Sequence, residues 1–527
     1  MSGFERRSVL AGLGVGLGAG LLLSAGRAGA ATSPVAQTRH GPVRGTTEAG
    51  INVFKGVPYG ADTGARRFQA PVPPEPWTEA REALAYGPAS PQSRGGGEAT
   101  SEDCLHLNLW TPGLRDGARR PVMVYIHGGA YSTGSGSSPL CDGARLARRG
   151  DVVVVTLNHR LNAFGYAYLA RLVPELADSG NAGQLDLILA LRWVADNIAA
   201  FGGDPGKVMV FGQSGGGAKV ATLMATPAAK GLFQRAATMS GQQVTASGPG
   251  NATRRTLAWL DALKLKPEQA SLVRTLPIDR LVEAQTALDP VLGFGGLYFG
   301  PVLDERSLTR HPFYPDAPSQ SAKIPMIIGN THDETRAFLG VDASNFTVDW
   351  AGLPAKLTQA NMRVDIDPAT VIAEYRRLYP AYGASDVLFA ATTAARSWRA
   401  AIIEAEERAR AGTPAWVYQV DWVSPREAGR FGAPHMADIP LAFDNVAASG
   451  SNAIGPTAQP MADAMSEAFL AFARTGDPNC KAIPRWEPYG LARRQTMIFD
   501  APPRLVDDPR GAERRLFEKV PFVQAGT

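Results

Sequence analysis

The residues best placed to do chemistry lie in Gly212-Gln213-Ser214-Gly215-Gly216, which follows an apolar run at 208–211 and precedes a helical pattern at 218–225. A G-x-S-x-G pattern between strand and helix predicts a nucleophile elbow. The serine sits on a turn too sharp for side chains two residues to either side, and Gly212 and Gly216 let the two backbones pass. A serine hydroxyl is a weak nucleophile at neutral pH. It needs an imidazole to take its proton and a carboxylate to hold that imidazole in one tautomer. The chemistry predicted is acyl transfer through a covalent intermediate.

With a serine elbow of this kind, the partners follow in the chain order serine, acid, histidine. Asp333 and Glu334 come just after the apolar run at 324–328, where a loop at the carboxyl edge of a sheet carries chemistry. Of the seven histidines, His40, His106, His127, His159, His311, His332 and His435, only His435 lies beyond both. It stands in Gly432-Ala433-Pro434-His435-Met436-Ala437-Asp438, a small-residue, proline-containing loop suited to presenting a side chain. Either carboxylate reaches an imidazole from such a loop, so the residues alone leave the acid open, and the other one caps or pairs structurally. An oxyanion also needs donors, best supplied by backbone amides. His127-Gly128-Gly129-Ala130 follows the run at 122–126 with small side chains that leave its amides accessible. Together with the amide of Gly215 it predicts a three-donor hole.

These residues need a scaffold. Short β-rich runs recur at 122–126, 152–157, 208–211, 236–239, 324–328 and 416–420, with helical patterns at 185–201, 218–225 and 461–472 between several of them. Strands alternating with helices predict a mostly parallel sheet covered on both faces. Longer helical stretches at 253–263, 279–288 and 369–410 interrupt the alternation and are expected to wall the site rather than join the sheet. No linker or internal repeat divides the chain after its first 30 residues, which predicts a single domain over 31–527.

The 527 residues are 45% hydrophobic and 19% charged, enough apolar material to exclude a disordered chain. A net charge of +4 without blocks of like charge excludes a nucleic-acid surface. Residues 8–26 form an uncharged, glycine-diluted apolar stretch behind Arg6-Arg7 and ahead of Ala28-Gly29-Ala30. That reads as a twin-arginine export signal over 1–30, too short for a stable membrane anchor, and predicts a secreted protein. Cys104, Cys141 and Cys480 are odd in number and lack metal-site spacing. No metal or organic cofactor is implied, and nothing in the sequence specifies an oligomeric state.

At this point several separated motifs between about Thr38 and Phe499 resemble the type B carboxylesterases, the family that includes cholinesterases and bacterial nitrobenzyl esterases. They are Phe54-Lys55-Gly56-Val57-Pro58-Tyr59, Glu102-Asp103-Cys104-Leu105, Asn158-His159-Arg160-Leu161, Gly180-Asn181-Ala182-Gly183, Phe201-Gly202-Gly203-Asp204-Pro205 and Ala473-Arg474-Thr475-Gly476-Asp477-Pro478-Asn479. The resemblance implies an α/β-hydrolase fold with helical insertions over the active site and hydrolysis of a small-molecule ester. It implies Ser214, Glu334 and His435 as the triad, which selects Glu334 over Asp333, and the amides of Gly129, Ala130 and Gly215 as the oxyanion donors. Arg67 with Glu102 and Arg160 with Asp186 resemble the family's structural ion pairs. The chain departs from the pattern at Gln213, where the family carries glutamate, and at Gly215, where it carries alanine. Ser90 stands where the family pairs a cysteine with Cys104, so that bridge is expected to be lost. The loop 92–100 has no tryptophan, which argues against a choline platform, and small to medium neutral esters are the expected substrates.

Overall fold

The computed structural model describes residues 33–93, 98–524 and 526–527; the export segment expected at 1–30 lies outside them. Among the described residues fourteen strands form in chain order. They are β1 (Val35–Gln37), β2 (Pro42–Arg44), β3 (Thr46–Glu48), β4 (Ile51–Pro58), β5 (Arg81–Glu82), β6 (His106–Thr111) and β7 (Arg120–Ile126), then β8 (Val153–Leu157), β9 (Gly203–Gln213), β10 (Arg235–Met239), β11 (Met326–Thr331), β12 (Ala415–Val420), β13 (Gln495–Phe499) and β14 (Arg504–Asp507). Three of them make a small sheet in the order β1-β2-β5, and eleven make one large sheet in the order β14-β13-β12-β11-β10-β9-β7-β8-β6-β4-β3. From β8 to β13 the neighbours run parallel, while both edges are antiparallel.

The parallel strands read as continuous apolar runs because both faces are covered. In β7, Val122, Val124 and Ile126 enter one core and Met123 and Tyr125 the other; in β9, Val208 and Val210 face the first, Met209 and Phe211 the second. The two-residue period of a strand produces this split. Helices Ala182–Asn197 and Gly215–Ala225 close one face and Ala458–Thr475 the other.

Strands stand at all the expected runs, and β3, β4, β6, β13 and β14, which fall outside those runs, complete the large sheet. The stretch at 369–410 is several elements: helices Pro368–Leu378 and Ala384–Thr393, a π-helical turn Ala394–Trp398, and helix Arg399–Arg410. Contrary to a role in the wall alone, its last helix packs on the sheet, with Ala401, Ile402 and Ala405, and Trp398 of the π-helical turn, in the same core as Val124. The remaining insertions carry their own cores, one around Phe68, Phe164 and Trp259, another around Leu353, Val387, Leu388 and Phe517. The two ion pairs implied by resemblance are present. Arg67 makes a two-point contact with Glu102, both bonds 2.6 Å, and Arg160 is fully enclosed with Asp186 at 2.6 Å. All three cysteines are free, and Ser90 occupies the expected place near Cys104.

Candidate active site

Ser214 joins β9 to helix Gly215–Ala225 with φ +57° and ψ −129°, a conformation that L-residues adopt only under constraint. The constraint is visible around it. Its N–H donates to the Met239 carbonyl at 2.8 Å, locking the turn to β10. A Cβ on Gly216 would lie 1.9 Å from the Ile126 carbonyl oxygen, and one on Gly212 would lie 2.5 Å from the backbone of Gly216. Those two glycines are required for the reason the spacing predicts. Gly215 is equally constrained, since a Cβ there would lie 1.9 Å from the Ala130 oxygen.

Glu334 opens the short helix Glu334–Leu339 immediately after β11, and its Oε2 is hydrogen-bonded to His435 Nδ1. Its other oxygen accepts the Thr331 N–H at 2.8 Å. Burial works against the charge of Glu334, yet the imidazole and that N–H hold its carboxyl below the usual range. Asp333 points elsewhere: it accepts from the Ala433 N–H at 3.1 Å and from Arg336 Nε at 3.2 Å. It therefore pairs rather than caps, and it anchors the loop that carries His435. Among the described residues no hydrogen bond joins the Ser214 hydroxyl to His435, although both line one cavity; such contacts are often loose until substrate binds.

Gln213 explains part of that geometry. Its amide nitrogen lies 3.2 Å from His435 Nε2 and 3.4 Å from Nδ1, so the carboxamide rests across the imidazole. A neutral amide leaves Glu334 as the carboxylate paired with the ring. Asp438, buried behind the site, accepts a hydrogen bond from the Tyr418 hydroxyl at 2.8 Å, and burial with the Glu334 charge pushes its carboxyl up to about 6.

The loop after β7 carries Gly129 at φ +85° and Ala130 at φ +53°. Among the described residues the amides of Gly129, Ala130 and Gly215 donate to no protein acceptor, whereas the Gly129 carbonyl is held by Ser132 and Thr133. Lys219, one helical turn past Gly215, supports this loop from below. It is fully buried and donates to the Ala130 carbonyl at 2.8 Å, and burial lowers its ammonium to about 7. His127 and His159 lie under the same loop with ring centroids 4.6 Å apart. Burial first, then the Lys219 charge, lowers His127 to about 3, so it is a neutral structural imidazole.

The far side of the cavity holds residues that the motifs did not reveal: Tyr298, Arg363, Arg396 and Gln524. They come from separate insertions and the C-terminal segment, with no local pattern to mark them. Burial lowers the Arg396 guanidinium to about 10, which keeps it charged at neutral pH.

An elbow serine, a glutamate–histidine pair and free backbone donors around one cavity on a mostly parallel sheet define a serine hydrolase of the α/β-hydrolase fold. Residues 32–517 match the Carboxylesterase family, and the chain belongs to it. Over 502 residues it is 35% identical to the para-nitrobenzyl esterase of Bacillus subtilis, covering 92% of this chain and 98% of that one. It is 34% identical to the phenmedipham hydrolase of Pseudarthrobacter oxydans, covering 92% and 96% of the two chains. The crystal structure of a Geobacillus stearothermophilus carboxylesterase superposes with a TM-score of 0.82 at 36% identity, covering 92% of this chain and 99% of that one. The protein is a carboxylic ester hydrolase.

Proposed function

We propose that Ser214 is the nucleophile of this esterase, His435 its general base and acid, and Glu334 the carboxylate that orients the imidazole. The Ser214 oxygen attacks the ester carbonyl as His435 takes its proton, and the charge that develops on the carbonyl oxygen falls to the amides of Gly129, Ala130 and Gly215. His435 returns the proton to the departing alcohol. Water, deprotonated by the same imidazole, then attacks the acyl-enzyme and releases the acid. The observation that carries the assignment is the Glu334–His435 hydrogen bond facing the cavity of a serine held at positive φ.

Small to medium esters without a cationic group fit the site, because Gln213 is neutral and the guanidinium groups of Arg363 and Arg396 line the cavity. The sequence of residues 1–30 supports export through a twin-arginine signal. No helix among the described residues is long and apolar enough to cross a membrane. The assignment is tested by Ser214→Ala, expected to lower kcat by about 10⁴- to 10⁶-fold while leaving the melting temperature in place. Retained activity in that variant would remove Ser214 from the role.

A further inference from the structure

Two cations in the cavity lack a counter-charge. Among the described residues, neither Arg363 nor Arg396 makes an ion pair or a side-chain hydrogen bond; Arg396 only rests over the Phe338 ring, 4.8 Å from its centroid. No aspartate or glutamate lines the cavity with them among the described residues. The carboxylate whose charge acts on Arg396 is Glu334, which is committed to His435.

The backbone holds both arginines there. Arg363 adopts φ +61° at the end of helix Gln359–Met362, and its carbonyl accepts the Val523 N–H at 2.7 Å, so the C-terminal segment fixes its position. Arg396 stands in the π-helical turn Ala394–Trp398, an irregularity that recurs at functional sites because it turns side chains out of register. In that turn Ala394 and Ala395 pack into the insertion core and Trp398 into the sheet core, while Arg396 and Ser397 are left facing the cavity.

Half-buried guanidiniums that repel each other and have no partner are costly to maintain, unless a ligand supplies the missing charge. A planar fork of N–H donors matches a carboxylate in two-point contact. We propose that Arg363 and Arg396 form a carboxylate-recognising subsite in the cavity of Ser214, and that the esters best turned over carry a free carboxylate away from the scissile bond. This inference rests on the ester-hydrolase reading and names its substrate class. The carboxylate belongs either to the acyl half, as in a half-ester of a dicarboxylic acid, or to the alcohol half, as in an ester of a hydroxy acid.

The test separates the two halves. For the acyl half, kcat/KM for ethyl hydrogen glutarate is compared with that for ethyl pentanoate; for the alcohol half, carboxymethyl butanoate is compared with propyl butanoate. Both are followed by acid release at constant pH. In one arm the charged ester is expected to exceed its neutral partner by about tenfold or more. Arg363→Gln and Arg396→Gln should each lower that ratio by about fivefold or more. Because the readout is a ratio within one preparation, a partly unfolded variant does not mimic the result. A ratio of one or below in both arms, or a ratio unchanged by both substitutions, overturns the subsite. Hydrolysis of the neutral esters that disappears in Ser214→Ala would leave the ester-hydrolase reading standing even then.

Discussion

On one side of the cavity, Ser214, Gly215 and Ala130 are held by contiguous backbone: β9 runs into the elbow, β7 into the loop, and glycines permit contacts a single methyl would break. On the other side, Tyr298, Arg363, Arg396 and Gln524 converge from four distant points of the chain and rest on insertion cores separate from those of the sheet. In the proposed mechanism the first side performs the reaction common to any ester, and the sheet fixes it. In the same proposal the second side meets the rest of the substrate and is free to vary without moving the reacting groups. The contrast teaches that reaction and substrate choice are carried by different parts of the fold, with different tolerance to change.

The sharpest way to break that comparison uses two neighbouring carboxylates. Glu334 faces His435, whereas Asp333 holds the loop from outside through Ala433 and Arg336. Glu334→Gln is expected to lower kcat by about 10³- to 10⁴-fold, because an amide stabilises the imidazolium poorly and accepts the wrong tautomer equally well. Asp333→Asn should cost less than about tenfold. Steady-state rates of the two variants decide it, and the reverse order would assign the acid to Asp333.

The same contrast explains what the sequence could reveal. The elbow, the loop Gly128-Gly129-Ala130 and the lone histidine beyond the acid are short local patterns whose geometry demands particular residues, so they are legible without a structure. The choice between Asp333 and Glu334 turns on the direction each side chain takes from one helix start, which residue physics leaves open; the family resemblance implies Glu334. Arg363 and Arg396 carried no signal at all. Arg396 is one arginine in a helical stretch and Arg363 lies before that stretch, and only the π-turn and the C-terminal segment aim them inward. Lys219 was equally hidden, since a lysine on a helix after an elbow ordinarily faces solvent.

A second prediction probes the seam where the two sides join. Glu404, on the helix that packs on the sheet, is fully buried; it accepts from the Gln243 N–H at 3.0 Å and binds the Thr238 hydroxyl at 3.1 Å. Burial pushes its carboxyl up to about 8, against about 4.3 in an unfolded chain. The folded state therefore binds this proton more tightly. Its contribution to stability is full below about pH 4 and is lost as pH rises toward 8. Glu404→Gln preserves the shape of the neutral acid and removes the titration. Thermal melting should show the variant a few degrees above the natural protein at pH 9 and close to it at pH 5. Equal melting shifts at both values would sink this reading of the seam.

The smallest effect expected is no effect, and it bears on what holds the reacting side together. Elbow and oxyanion loop are fixed by close backbone contacts, with all three thiols free. Cys104 and Cys141 are buried, and burial pushes the Cys104 thiol well up and the Cys141 thiol up to about 12, so both remain neutral and inert. A native disulfide contributes about 2–5 kcal/mol, which reduction would remove as a drop of several degrees in melting temperature. Adding a reductant to this protein should instead move the melting temperature by less than about 1 °C. A larger fall, with a bridge mapped by mass spectrometry, would mean that a covalent tie, and not packing alone, fixes the side of the cavity on which the reaction depends.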